Sequence, residues 1–307
     1  MRILIVGAGA TGGYFGARLA EAGRDVTFLV RPTRAEQLRR TGLVISSPHG
    51  DLTLAPQLLL SGAPTAPFDV AIVALKAYGL EPALDDIAAT VGPDTVIVPF
   101  LNGMRHLDTL IARFGERPVL GGVCLVASTL RPDGSIAQLA PFQEIVYGER
   151  DGSRSDRIAA LDAGMQGAGF KARASTEIMQ EMWNKWMLLA SGGALTCLLR
   201  GTVGDIEAVP GGVALALALV SEVMAVAAVS GYPPSEATDD RIRKTLTASG
   251  SPFATSMYRD LTGGLPVEAE QILGDMAARA KGFGLPSPLL EAATVQLRIY
   301  QSRLAAA

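Results

Sequence analysis

The first turn of this chain constrains its fold most. Residues 2–6 (Arg-Ile-Leu-Ile-Val) read as a buried strand that runs into Gly7-Ala8-Gly9-Ala10-Thr11-Gly12 and then into a helical stretch over 12–22. Three glycines at this spacing serve three needs: Gly7 lets the backbone turn tightly, Gly9 lets a pyrophosphate approach, and Gly12 lets the helix pack on the strand. The phosphates would rest on the N–H groups at the positive end of the helix. Gly7, Ala8, Gly9, Ala10, Thr11 and Gly12 are therefore the candidate cofactor-binding residues. The alternative, a glycine-rich turn without a ligand, is disfavoured by the strand-turn-helix context.

Further strands read at 25–30, 70–74 and 96–100, with a helical segment over 83–91 between the last two. This alternation predicts an α/β fold with a doubly wound parallel sheet of Rossmann type. Around 121–148, Val- and Ile-containing runs flank a Pro132-Asp133-Gly134 turn, as expected of a hairpin near the sheet edge. From about Ser175 onward, Ala, Leu and Met recur at helical spacing between glycine and proline breaks. The expected organisation is a Rossmann-type domain that binds the cofactor over 1–172, followed by an all-helical C-terminal domain over 173–307 that carries substrate and catalytic groups.

Composition excludes several classes. Of 307 residues, 49% are hydrophobic and 19% charged, which suits a globular protein, and a net charge of −3 argues against nucleic acid as a partner. The longest apolar stretch, 213–229, is interrupted by Ser221 and Glu222 and falls short of the roughly 20 apolar residues of a membrane helix, so no membrane is expected. It fits a core helix or the face of a homodimer, and being apolar all round it favours the core. Cys124 and Cys197 have no paired spacing, and the first apolar run stops at Gly7, so a cytoplasmic protein without a metal site is expected. With only His49 and His106 present, proton chemistry falls to another residue type.

Cofactor choice turns on the end of the second strand, where an acidic residue would bond the ribose hydroxyls of NAD. Arg31 stands there, with Arg34 close by. An arginine can grip a 2′-phosphate, which favours NADP(H), although a solvated surface arginine is the plain alternative. Lys76 and Asn102 follow the strands at 70–74 and 96–100, where doubly wound sheets bind ligands. Each could equally be a loop residue that satisfies its own backbone.

Hydride reduction of a carbonyl needs a proton donor. Only five of the 27 basic residues are lysines, and arginine does not give up a proton near neutral pH. Lys185, in Trp183-Asn184-Lys185-Trp186, has tryptophans in sequence that would partly desolvate it and lower its pKa, though Glu181 one turn earlier suits an ordinary surface pair. Glu268 falls in the first turn of a helix that Pro266 starts, where it would orient substrate or lysine, or simply complement the helix dipole. Ser256 would bond a substrate carboxylate or cap a turn.

Taken in order, these residues resemble the ketopantoate reductase (2-dehydropantoate 2-reductase) family along nearly the whole chain. The resemblance rests on the glycine signature, Arg31, Leu75-Lys76-Ala77, Asn102-Gly103-Met104, the Pro132-Asp133-Gly134 turn, Trp183 with Lys185, Ser256-Met257 with Asp260, Glu268 with Gly274, and Gly284 with Pro286. It implies NADPH-dependent reduction of a 2-oxo acid, in the named case ketopantoate to (R)-pantoate on the route to pantothenate and coenzyme A. It further implies Lys185 as proton donor, Glu268 as its acidic support, Ser256 and Asn102 as substrate contacts, and Lys76 and Asn102 on the nicotinamide side of a cleft between the domains. The chain departs from the family where asparagines align with Leu189, Gly193 and Val203, which predicts a less polar 2-oxo acid as the alternative substrate. A non-catalytic NADP(H)-sensing protein is the reading from another class.

Overall fold

Strand β1 (Arg2–Val6) is buried over Ile3–Val6 because it pairs with a parallel neighbour on each side. In the computed structural model, which describes residues 1–63 and 65–306, contacts divide the chain into two units. One comprises Met1–Leu101 with His106–Met179, and the other Asn102–Arg105 with the chain from Gln180 onward. After β1 come α1 (Ala10–Glu21), β2 (Asp25–Val30), α2 (Pro32–Thr41), β3 (Leu43–Ser46), β4 (Leu52–Leu54), β5 (Gln57–Leu60), β6 (Phe68–Val73), α3 (Leu84–Ala88) and β7 (Val91–Pro99). Next are α4 (Arg105–Phe114), β8 (Gly121–Leu130), β9 (Ile136–Gly148), α5 (Asp156–Met165) and β10 (Lys171–Ala174).

Five parallel strands pair in the order β5-β2-β1-β6-β7. The chain winds outward from β1 to β5 and then restarts on the other side at β6, so the order reverses between β1 and β6. Ligands of doubly wound sheets bind at such a switch point, outside the carboxyl ends of the strands. The helix expected over 83–91 is shorter than the sequence suggests. Two 3₁₀ turns, Ala77–Gly79 and Glu81–Ala83, precede the five residues of α3, and the expected length is lost at the far end, where the chain is already extended as β7 from Val91.

The hairpin expected at the edge of this sheet lies elsewhere. β8 and β9 do form an antiparallel hairpin, but in a second sheet ordered β10-β9-β3-β4, with β8 pairing β9. The reason lies in α1, whose residues Gly12 to Leu19 are all buried. A helix buried all round needs cover on both sides. The parallel sheet covers one side and the second sheet the other, with Tyr14, Phe15, Phe28, Ile136, Tyr147 and Phe170 in one continuous core. Phe15 and Phe170 meet edge to face at 4.9 Å, a geometry that adds to their area burial.

The helical unit contains α6 (Ile178–Leu199), α7 (Val203–Glu207), α8 (Gly212–Val229), α9 (Glu236–Leu246), α10 (Ser256–Thr262), α11 (Asp275–Gly282) and α12 (Pro288–Ala306). Among its described residues there is no strand, as the sequence predicts. By length and composition alone, α8 is long and apolar enough to cross a membrane. Its Leu219, Val220, Val223 and Val226 are fully buried against other helices of this unit, whereas Val213 and Val229 are exposed.

One ion pair in the first unit makes stability depend on pH. Glu149, just beyond β9, is buried; it accepts bonds from Arg157 Nε at 2.6 Å and from Ser155 Oγ at 2.6 Å. The bond from Arg157 chiefly holds this carboxyl below its ordinary value of 4.5. A carboxylate with a depressed native pKa contributes stability above its unfolded pKa and loses that contribution as pH falls through the native one. Glu149→Gln should therefore lower Tm at pH 7. The gap to wild type should close as pH drops below 4.5, which thermal melts over pH 3 to 7 would check.

Candidate active site

The glycines of the first turn do separate work. Gly7 sits at φ +98°, a conformation side chains rarely adopt, and a Cβ there would lie 2.6 Å from Leu75 Cδ2. A Cβ on Gly12 would strike the Gly7 carbonyl and come within 3.0 Å of Ala74 Cβ and 3.1 Å of Ile5 Cγ2. Both glycines are thus required by the protein's own packing. Gly9 is different, because a Cβ there would meet no heavy atom within 4 Å. Gly9 is also the N-cap of α1, with no side-chain cap and no acidic residue in the first turn. The N–H groups of that turn, with the positive end of the helix dipole, suit an anion, and Ala8, Ala10 and Thr11 share the turn.

Arg31 and Lys76 lie at the same edge of the sheet. Arg31 directly follows β2 and is the exposed N-cap residue of α2. Lys76 follows β6, is exposed, and begins a 3₁₀ turn in which Gly79 N donates to the Lys76 carbonyl at 2.8 Å. Arg34, one turn into α2, is half-buried, and burial pushes its guanidinium below its ordinary value.

The other candidates belong to the helical unit. Lys185 is half-buried on α6. Its flanking tryptophans pack on each other. Trp183 and Trp186, three residues apart, share one face of the helix, about 100° per residue away from Lys185. Their rings meet at 4.8 Å, Trp183 stacks on Tyr232, and Arg279 lies 5.7 and 5.5 Å from the two ring centres. They form the core of this unit, and Trp186 Nε1 donates to the Ile272 carbonyl at 2.9 Å.

That carbonyl lies in a π-helical turn, Glu270–Gly274, which the sequence does not announce. The helix begins three residues after Pro266, so the expected start at Pro266 is wrong and Glu268 precedes the first turn. Glu268 is buried, and its carbonyl accepts the Ile272 N–H at 3.1 Å. Asn102 is half-buried, and a Cβ on the adjacent Gly103 would strike the Gln271 carbonyl, so the Asn102-Gly103 turn presses on the same π-turn. Asn102, Lys185 and Glu268 are thereby tied through their neighbours to one short segment. Ser256 opens α10 with an exposed hydroxyl, and the cap is supplied by Thr255, which accepts from Tyr258 N. Met257 docks against Gly193, where a Cβ would lie 2.5 Å from its Cε. Val203 is fully buried at the start of α7, and Leu189 is half-buried.

A parallel sheet with an open glycine turn at its switch point, followed by a helical unit bearing a lysine and a buried carboxylate, is the build of a pyridine-nucleotide-dependent oxidoreductase. The chain belongs to the ketopantoate reductase family: the family model "Ketopantoate reductase PanE/ApbA" matches residues 3–152 and that for its C-terminal part matches 177–301. It is 37% identical over 302 residues to the uncharacterized oxidoreductase YkpB of Bacillus subtilis strain 168, covering 98% of this chain and 99% of that one. A solved 2-dehydropantoate 2-reductase from Geobacter metallireducens superposes with a TM-score of 0.86 at 29% identity, covering 97% and 99% of the two chains. The fold is shared with D-mandelate dehydrogenase, solved with NADH and anilino(oxo)acetate, at a TM-score of 0.88 and 21% identity over 99% of this chain and all of that one.

The two glycines predict opposite phenotypes. Gly12→Ala should lower Tm markedly by driving a methyl into the Gly7 carbonyl. Gly9→Ala should melt close to wild type yet weaken nicotinamide dinucleotide binding by about tenfold or more, as a methyl intrudes on the phosphate approach. Melts and fluorescence titrations on both variants would check this.

Proposed function

We propose that the chain reduces a 2-oxo acid to the 2-hydroxy acid with NADPH, with ketopantoate to (R)-pantoate as the leading reaction. The observation that carries this reading is the convergence on one π-turn: Trp186, next to Lys185, bonds its Ile272 carbonyl, Gly103, next to Asn102, seats on Gln271, and Glu268 leads into it. When bound, the reduced nicotinamide supplies a hydride to the C2 carbonyl carbon. The Lys185 ammonium stabilises the charge growing on the carbonyl oxygen and gives it a proton, completing the hydroxyl, and the neutral amine recovers its proton from water. Glu268 holds the ammonium in place. Ser256 Oγ and the Asn102 amide orient the substrate, and Lys76 lines the nicotinamide side. The open space over Gly9 and the uncapped α1 fit a pyrophosphate. The Arg31 guanidinium, in place of an acidic residue at the end of β2, favours a 2′-phosphate and so NADP(H) over NAD(H).

A second reading keeps the chemistry and changes the acid. Val203 and Gly193 serve packing and present no polar group, which suits a 2-oxo acid with a less polar tail, and the fold neighbour D-mandelate dehydrogenase was solved with an aromatic oxo-acid derivative.

Following NADPH absorbance with a panel of 2-oxo acids should show oxidation with ketopantoate, or with branched or aromatic 2-oxo acids if the second reading holds. Tight NADPH binding without turnover of any acid would instead mark a sensor. Lys185→Ala should cost ~10²–10⁴ in kcat while sparing NADPH affinity. Arg31→Ala should weaken NADPH by roughly tenfold or more and leave NADH unchanged. Undiminished turnover in the first variant removes Lys185 as donor, and an unaltered cofactor preference in the second removes Arg31 as phosphate reader.

A further inference from the structure

The carbonyls of the glycine turn are held from outside. Ala8 O lies beyond the ladder of α1, whose first backbone bond runs from Gly13 N to Gly9 O. Arg34 Nε donates to Ala8 O at 3.1 Å. The same guanidinium donates through Nη1 to Gly134 O at 3.0 Å and Gln37 Oε1 at 2.6 Å, and Gln37 Nε2 donates to Asp133 O at 2.8 Å. Its Nη2 is buried with no partner. Ser128 Oγ, from β8 in the same hairpin, donates to Ala10 O at 3.1 Å. The Asp133–Ser135 turn is itself stiff: Gly134 N donates to Arg131 O at 2.9 Å, and Ser135 N and Oγ both donate to Asp133 Oδ1, at 2.9 and 2.7 Å.

A trans peptide points its C=O and N–H in opposite directions. Holding Ala8 O on one side therefore aims the Gly9 N–H to the other, and Gly9 is the position over which the space is open. From this we infer that Arg34 is a positioning residue for the dinucleotide turn, anchored by the β8–β9 hairpin turn at Gly134 and Gln37, and is not a reader of the 2′-phosphate. This rests on the reading of residues 7–12 as a dinucleotide site. Two of its three nitrogens are committed to carbonyl and amide oxygens, and the third is buried, so its charge is turned inward to the protein. The role also accounts for the Pro132-Asp133-Gly134 turn, whose Asp133 and Gly134 carbonyls hold Gln37 and Arg34 in place.

A reader of the 2′-phosphate discriminates between dinucleotides, whereas a clamp on the pyrophosphate turn serves both. Arg34→Met should weaken NADPH and NADH by the same factor, about tenfold, leaving their ratio at the wild-type value. Gly134→Ala attacks the anchor from its far end: its Cβ would overlap the Gln37 amide, and the residue sits at φ +85°. It should weaken both dinucleotides in the same proportion, by roughly threefold to tenfold, with the KM for each rising while kcat falls by less. A structural defect alone would lower the melting temperature and the active fraction without moving those KM values, so melts accompany the titrations. Loss of NADPH affinity with NADH unchanged in Arg34→Met overturns the clamp, as does wild-type affinity for both in Gly134→Ala. If the wild-type chain binds neither dinucleotide, the reading of the glycine turn fails and the clamp with it.

Discussion

The uncapped N-terminus of α1 is the constraint around which the first unit is built. Backbone N–H groups at a helix start need partners, and most helices supply one from a serine, threonine or aspartate side chain. Here Gly9 supplies none, and with Gly12 to Leu19 buried behind it the first turn stands uncapped by any side chain at the carboxyl edge of the sheet. Gly7 and Gly12 bring β1, α1 and the end of β6 so close together that no side chain fits between them. The sheet order places that opening at the switch point between β1 and β6, beside the ends where Arg31 and Lys76 stand. The second sheet makes this arrangement possible. Without its cover, Tyr14 and Phe15 would face water, at a cost of about 1.5–3 kcal/mol each.

In the helical unit the corresponding constraint is the bond from Trp186 to Ile272. A buried indole N–H without an acceptor costs about 1–3 kcal/mol, and α-helical carbonyls are normally occupied by the N–H four residues on. A π-turn alters that ladder and often marks a functional segment. Glu270 of the same turn pairs with Arg298 on α12 through bonds of 2.6 and 2.8 Å, so the segment is held from α6 on one side and α12 on the other. Gln271, between these two anchors, has little freedom, so the segment keeps the shape against which the Asn102-Gly103 turn seats.

What could be read from the sequence was what depends on neighbours in the chain. The strand-turn-helix at 2–22 declares itself by a change of period at Gly7, and the loss of strand signals after Ser175 reflects composition over long stretches. The β8–β9 hairpin was legible from Pro132-Asp133-Gly134, but not its sheet, because its other partners, β3 and β10, lie far along the chain. The pairing of the tryptophans beside Lys185 was legible too, since the spacing of three between Trp183 and Trp186 places them together on one face of α6. The π-turn had no local signal, since it depends on an indole from α6 and on the approach of Gly103, and neither did the hold of Ser128 and Arg34 on the glycine turn.

The positions 193 and 203, where the resemblance leads one to expect asparagine, are packing positions, and that limits how they can vary. Val203 is fully buried and its N–H donates to Phe253 O at 3.0 Å. Gly193 admits the Met257 side chain, and Met257 fixes the start of α10 and so the place of Ser256. A polar residue at 193 would displace Met257 and carry Ser256 with it, and one at 203 would bury an unpaired group. Changes at these positions are therefore coupled: a polar side chain at 193 or 203 is accommodated only by repacking α6, α7 and α10 together, with glycine at 193 and methionine at 257 exchanged as a pair.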